Sequence, residues 1–307
     1  MLAIILIKKI ITLFLIMACG FAMVKSGVLT TEQSQPISKI VLYVILPCAI
    51  VGSFQIDYTP EVRDGFLLAL KAAIVIHVIF IVMDILLKKL FHLNGLEQAS
   101  ITYSNSANLI FPLVTALFGE EWIIYSSGFI AVQQVLMWSH GKSILQEVKS
   151  VDLKKLLMNV NMICVFIGTI TFILHIQFPG PFQDAVDTMS SMAGPLAMFV
   201  IGMLIAGMDM KAMIMNRRLW LVCILRMIVM SGAAFAFLKI YASFQTLDIA
   251  NNVLVISMLA AVAPAASSIS QMAQVYGKDA AYGSAISVLS TLMCIVTMPM
   301  FVALFAL

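Results

Sequence analysis

Two clusters of amide, hydroxyl and proline residues interrupt apolar segments of this 307-residue chain. The first reads Tyr103-Ser104-Asn105-Ser106-Ala107-Asn108-Leu109-Ile110-Phe111-Pro112 and the second Ala260-Ala261-Val262-Ala263-Pro264-Ala265-Ala266-Ser267-Ser268-Ile269-Ser270-Gln271. Asn105, Ser106 and Asn108 on one side, with Ser267, Ser268, Ser270 and Gln271 on the other, offer hydrogen bonds rather than a nucleophile or a strong metal ligand set. A helix interrupted near Pro112 or Pro264 also exposes backbone N–H groups and the positive end of its dipole, where an anion is favoured. Such a pair of sites can orient a carboxylate and still release it. The plainer role for the same side chains is to satisfy backbone freed by the two prolines.

Other candidates are scattered more thinly. Gln133 and Gln134 are adjacent in an apolar segment, and neighbours on a helix point about 100° apart, so at most one is expected to reach a shared cavity. Pro47 and Cys48 fit a cavity wall or simple packing. Arg226 is the one cation clearly inside an apolar segment, and it either draws in an anion or pairs with helix carbonyls. His77 reads as a hydrogen-bonded helix residue, and Asp84 as the partner of Lys88 four residues on. Catalytic and metal sites are not expected: there is no His-Glu-x-x-His run, no pair of aspartates in facing segments, no paired cysteines and no compact methionine cluster. No cofactor is expected either.

The elements that must hold these residues are membrane helices. Apolar residues make up 62% of the chain and charged residues 11%, with a mean hydropathy of +1.05, which a water-exposed surface would not tolerate. Windows long enough to cross a hydrocarbon core of about 30 Å recur near residues 4–24, 37–56, 66–88, 100–118, 122–141, 156–176, 187–208, 217–241, 249–273 and 280–304. With the termini outside, the inner loops collect twelve lysines and arginines, Lys25, Lys88, Lys89, Arg217 and Arg218 among them, against five on the other side. Both termini are therefore expected outside the cytoplasm, in a multi-pass cell-membrane protein. The net charge of +3 is too dispersed for nucleic acid.

The expected architecture is all-α and polytopic, with ten transmembrane helices as two inverted five-helix repeats: 1–142, a short cytoplasmic linker at 143–155, and 156–307. An odd number of spans per half inserts the halves in opposite directions. Pro112 and Pro264 are 152 residues apart and Pro47 and Pro195 are 148 apart, nearly one register. Inverted repeats place binding sites at mid-membrane between broken helices, here spans 4 and 9. A scaffold of spans 1, 2, 6 and 7 would then face a transport domain of spans 3–5 and 8–10.

The stretch from Asn105 through Pro112-Leu113-Val114-Thr115-Ala116-Leu117-Phe118-Gly119-Glu120-Glu121 resembles the fourth and fifth spans of the auxin efflux carrier family. Leu46-Pro47, Gly194-Pro195, Ala263-Pro264, Leu225-Arg226 and Met272-Ala273-Gln274-Val275-Tyr276-Gly277-Lys278-Asp279 are similar to that family too, so the resemblance covers essentially the whole chain. It implies a ten-span fold like that of sodium/proton antiporters and bile-acid symporters, with spans 4 and 9 crossing, and a pocket lined in part by polar residues of the fifth span. It also implies secondary transport of a small organic anion, malate- or malonate-like as in bacterial members or auxin-like as in plant members. Ala107 and Ile110 stand where the family usually has glycines, and Asn108 is an added polar group. The alternative is a sodium- or proton-coupled symporter of bile-acid type for another anion. The partners implied are a small organic anion and membrane lipid, with a homodimer left open.

Overall fold

The computed structural model describes residues 2–56, 58–119, 122–147, 158, 160–207 and 209–306. Within those, the side chains of residues 2–7, 9, 10, 107, 108, 111, 112, 115, 116, 210, 212, 213 and 306 lie outside the described residues, as do most of the expected linker and Glu120-Glu121. The chain is helical, with no strand longer than a single bridge among the described residues. Among the described residues, five helices are long and apolar enough to cross a membrane: Thr31–Gly52 (α2), Pro60–Phe91 (α3), Gly180–Ala206 (α8), Arg217–Ala242 (α10) and Ala280–Phe305. The last belongs to the longer Ala280–Ala306 (α13).

Between these run Leu2–Lys25 (α1), Gly95–Thr102 (α4), Ser106–Leu117 (α5) and Ile123–Leu136 (α6), which continues through a π turn at Met137–Gly141 into Lys142–Gln146. Val160–Ile173 (α7), the short Met210–Met215 (α9), Ala250–Ala261 (α11) and Ser267–Val275 (α12) complete the set.

Two breaks organise the interior. Helix α4 stops at Thr102 and α5 starts at Ser106; α11 stops at Ala261 and α12 starts at Ser267. The first break lies upstream of Pro112, which sits on helical backbone within α5, whereas Pro264 lies in the second break itself. The two prolines therefore do not occupy equivalent places, and a register drawn through them misses the one defined by the breaks, whose following helices start at Ser106 and Ser267. The physical reason is that a proline inside a helix costs one hydrogen bond, here to the carbonyl of residue 108, but need not end the helix when neighbours support it.

Helix α4 also begins earlier than hydropathy predicts. Asn94 caps it, accepting from the Glu97 N–H at 2.9 Å while the Glu97 carboxylate accepts from the Asn94 N–H at 2.9 Å. The Arg218 guanidinium then grips Glu97 with two bonds of 2.7 Å. It also donates to the carbonyls of Phe91 and His92 at the end of α3, and the Tyr282 hydroxyl donates to Glu97 at 3.1 Å. One ion pair thus ties α3, α4, α10 and α13 together.

A second interface is built from small residues. Helices α1 and α8 pack backbone to backbone at Gly20 and Gly202, where any Cβ would run into the carbonyls of Phe199 and Met17. Helix α2 packs on α7 and α8, and α3 on α6, α10 and α11.

Candidate functional site

At the breaks the two interrupted helices cross. The Asn105 N–H donates to the Pro264 carbonyl at 2.7 Å and the Ala266 N–H to the Tyr103 carbonyl at 3.0 Å, forming a single antiparallel bridge between Ser104 and Ala265. Extended backbone in a buried, apolar interior is tolerable only with its polar groups paired, and neighbours supply the rest. The Gln133 oxygen accepts from the Ser104 N–H at 3.1 Å and its hydroxyl at 2.7 Å, while its nitrogen donates to the Ser104 carbonyl at 2.8 Å and the Ser106 hydroxyl at 2.9 Å. On the other side the Ala265 N–H donates to the Ser290 hydroxyl at 3.1 Å, and the Ser287 hydroxyl donates to the Ala265 carbonyl at 3.2 Å.

Arg226 is wholly buried beside the crossing. Its guanidinium donates to the carbonyls of Ile101 (3.1 Å), Ala261 (2.7 Å) and Ala263 (3.1 and 2.8 Å) and rests over the Phe80 ring at 5.5 Å. Those carbonyls are the negative ends of α4 and α11, so one cation neutralises two helix C-termini. Just past the π turn at Leu225–Met230, the Ser231 hydroxyl donates to the Arg226 carbonyl at 3.2 Å.

A small enclosed cavity, with room for little more than one water, lies against the crossing. Its lining comprises Val41 and Leu46 of α2, Ala193 of α8, and Ser104, Asn105, Gln133, Gln134, Ser268 and Gln271. Two of these amides are incompletely satisfied: the Gln134 oxygen and the Gln271 nitrogen are buried with no hydrogen-bond partner. The first turn of α12 is uncapped by a side chain, because its N-cap is Ala266.

Apart from Asn108 and Pro112, each expected site residue has a definite place. Asn105 and Ser268 line the cavity; Asn105 also accepts from the Ser267 hydroxyl at 3.3 Å across the crossing, and Ser268 donates to the Met137 sulfur at 3.5 Å. Both glutamines reach the cavity wall rather than one, but Gln133 is committed to the break and only Gln134 has an unused oxygen. Ser106 and Pro264 hold the crossing itself. Ser270 turns away to pack against Gly283 of α13. Arg226 points to carbonyls, and Pro47 and Cys48 are absent from the lining, which α2 provides through Val41 and Leu46 instead. The side chains of Asn108 and Pro112 lie outside the described residues.

Pro47 has another consequence. A π turn at Val41–Ile45 makes the Leu46 N–H donate to the Val41 carbonyl, so Leu42 would look to residue 47, which has no N–H. The Asn161 side chain of α7 donates to the Leu42 carbonyl instead, at 3.0 Å. His77 behaves as expected, bonding through Nδ1 to the Ala73 carbonyl at 2.7 Å. The expected Asp84–Lys88 pair is not formed: Asp84 is buried, Lys88 is exposed, and no ion pair within 4.0 Å involves Asp84 among the described residues. Burying the carboxylate leaves the lysine one turn on, reaching for water.

Sequence reasoning missed Ser287 and Ser290. With Ser284 and Thr291 they form a polar stripe at helical spacing along an otherwise apolar α13, a signal that was available.

A family model described as a membrane transport protein matches residues 5–150 and 140–302. No curated protein matches the chain. The model is the membrane transport domain of the auxin efflux carriers, and the chain belongs to the auxin efflux carrier family.

Proposed function

We propose, from that membership and from the crossing, that the protein is a secondary carrier of a small organic anion, malate- or malonate-like or auxin-like, working by elevator-type alternating access. The reading counts ten spans in two inverted five-helix halves with both termini outside the cytoplasm, in a cell membrane. It assigns α1, α2, α7 and α8 to a scaffold and α3–α6 with α10–α13 to the moving domain.

The observation that carries it is the division of the cavity wall. Val41, Leu46 and Ala193, from the scaffold helices, are apolar; Ser104, Asn105, Gln133, Gln134, Ser268 and Gln271, from the other group, are polar. A solute held by the polar side can travel with it past an apolar wall that offers no competing hydrogen bonds. The unpartnered Gln271 nitrogen is a donor suited to a carboxylate oxygen, and a half-turn of the Gln134 amide presents a second. The N-terminal ends of α5 and α12 add partial positive charge, so the anion needs no lysine or arginine in the wall. Arg226 serves this arrangement indirectly, by neutralising the opposite helix ends.

The cavity as it stands is too small for a three- or four-carbon acid, so loading requires the two helix groups to part, as alternating access demands. Thermal-shift measurements on purified protein with malate, malonate and indole-3-acetate test the reading, since a ligand that binds the folded state raises its melting temperature. At least one anion is expected to stabilise wild type and to do so less in Asn105→Ala. No shift with any organic anion, together with no counterflow in proteoliposomes, would sink the proposal.

A further inference from the structure

Two acidic side chains are buried among the described residues, Glu97 and Asp84. Their surroundings differ sharply. Glu97 is saturated by Arg218, Asn94 and Tyr282, whereas the Asp84 Oδ1 has no hydrogen-bond partner and the residue, itself buried, borders an open hollow with room for many waters. Lys88, His92, Gln98, His140 and Ile144 share that hollow. An ionisable side chain inside a span and facing an aqueous cavity is where membrane carriers build proton relays.

The hollow communicates with the crossing through one residue. The Tyr103 hydroxyl lies 2.9 Å from His140 Nδ1 and 2.9 Å from the Leu136 carbonyl, and its ring packs on Gly141, where a Cβ would strike it. The carbonyl of the same residue accepts the Ala266 N–H that closes the bridge between the interrupted helices. A hydroxyl has one proton to give. With Nδ1 bare, Tyr103 can donate to His140; with a proton on Nδ1, His140 donates to the tyrosine oxygen and the hydroxyl proton turns to Leu136.

We infer that Asp84 and His140 form a proton-exchange site opening on the inner side of the membrane, coupled to the crossing through Tyr103, and that anion movement is linked to its protonation. This rests on the carrier reading above. The step is a simple transfer: a proton from water in the hollow binds a carboxylate oxygen of Asp84 or the free ring nitrogen of His140, passes between them through that water, and returns to water by reversal of the same bonds on the opposite side, once the moving domain that carries α3 and α6 has shifted. The charged and titratable groups facing Asp84 are Lys88, Lys89 and His92 of its own helix and His140 of α6, with Tyr103 beyond. Glu147 borders the adjoining hollow. On α10, Arg218 is bonded to Glu97 of α4 and to the Phe91 and His92 carbonyls, Arg226 is bonded away at the crossing and Lys239 to the Phe305 carbonyl, and α11 has no titratable residue.

The test is malate transport in proteoliposomes holding a trapped pH-sensitive dye, for wild type and Asp84→Asn. Wild type is expected to move protons with the anion and to speed up severalfold under an imposed pH gradient; Asp84→Asn is expected to keep counterflow but lose the gradient response. Wild-type transport indifferent to the gradient, or an Asp84→Asn protein that responds as wild type does, overturns the inference. Infrared difference spectra of wild type in lipid nanodiscs between acid and neutral pH separate this from failure of the carrier reading. A carboxyl band that titrates and is lost in Asp84→Asn supports the site even if malate is not the cargo, and its absence overturns the site.

Discussion

At the residue scale, Arg226 and Gln271 illustrate opposite uses of a polar side chain in an apolar interior. Arg226 spends its guanidinium on three backbone carbonyls that no helix can satisfy. Its removal strands buried acceptors at about 1–3 kcal/mol each, so Arg226→Leu is expected to lower the melting temperature steeply and reduce the yield of folded protein, while Arg226→Lys, which keeps charge but not the fork, falls between. Thermal unfolding in detergent measures both. Gln271 has a nitrogen with no protein partner, so Gln271→Leu is expected to leave stability nearly unchanged and to weaken anion binding roughly tenfold, equivalent to about 1.4 kcal/mol. Equal anion affinity in Gln271→Leu and wild type would take that residue out of the site. Both residues stood out in the sequence as polar groups in apolar runs. What type and spacing could not reveal was direction, because which carbonyl or cavity a side chain meets depends on helices more than thirty residues away.

At the element scale, π turns and breaks do the positioning. In α2 the missing N–H of Pro47 leaves the Leu42 carbonyl to Asn161 of α7. Asn161→Leu is expected to cost about 1–3 kcal/mol, and adding Pro47→Ala should restore part of that by returning a backbone donor to the helix. Unfolding midpoints of the single and double variants measure the coupling, and strict additivity would show that the proline and the asparagine act independently. Helix α2 also touches the other group of helices through Gln274 of α12, whose amide accepts from the Ser38 hydroxyl at 2.6 Å and donates to the Ser34 hydroxyl. In an elevator that contact must break in every cycle. Gln274→Leu is therefore expected to raise thiol labelling of a cysteine placed at Leu46 severalfold, by easing separation of the cavity walls; unchanged labelling would mean the contact does not restrain the motion. Hydropathy made most of these helices legible, since long apolar runs must be buried or span lipid. It did not reveal α4, whose Asn94, Glu97 and Gln98 dilute the window although Arg218 and the cap satisfy them. Nor did prolines locate the first break, because Pro112 is carried within α5.

At the scale of the whole molecule, the arrangement is two interrupted helices bound back to back, with one buried cation at their negative ends and a half-polar, half-apolar cavity alongside. The two expected clusters do meet, as the paired breaks and the family resemblance implied, and the meeting is made of backbone bonds from Tyr103, Asn105, Pro264 and Ala266 that no residue type encodes on its own. The apolar half of the cavity was not legible for the same reason: Val41, Leu46 and Ala193 look like any other core residues until α2 and α8 are brought against the crossing. The most direct measurement is counterflow of labelled malate, malonate or indole-3-acetate in proteoliposomes containing wild type or a Gln134→Leu/Gln271→Leu protein. Wild type should exchange at least one of these acids while the double variant, equally folded, exchanges it at least tenfold more slowly; equal exchange by both proteins would contradict the account.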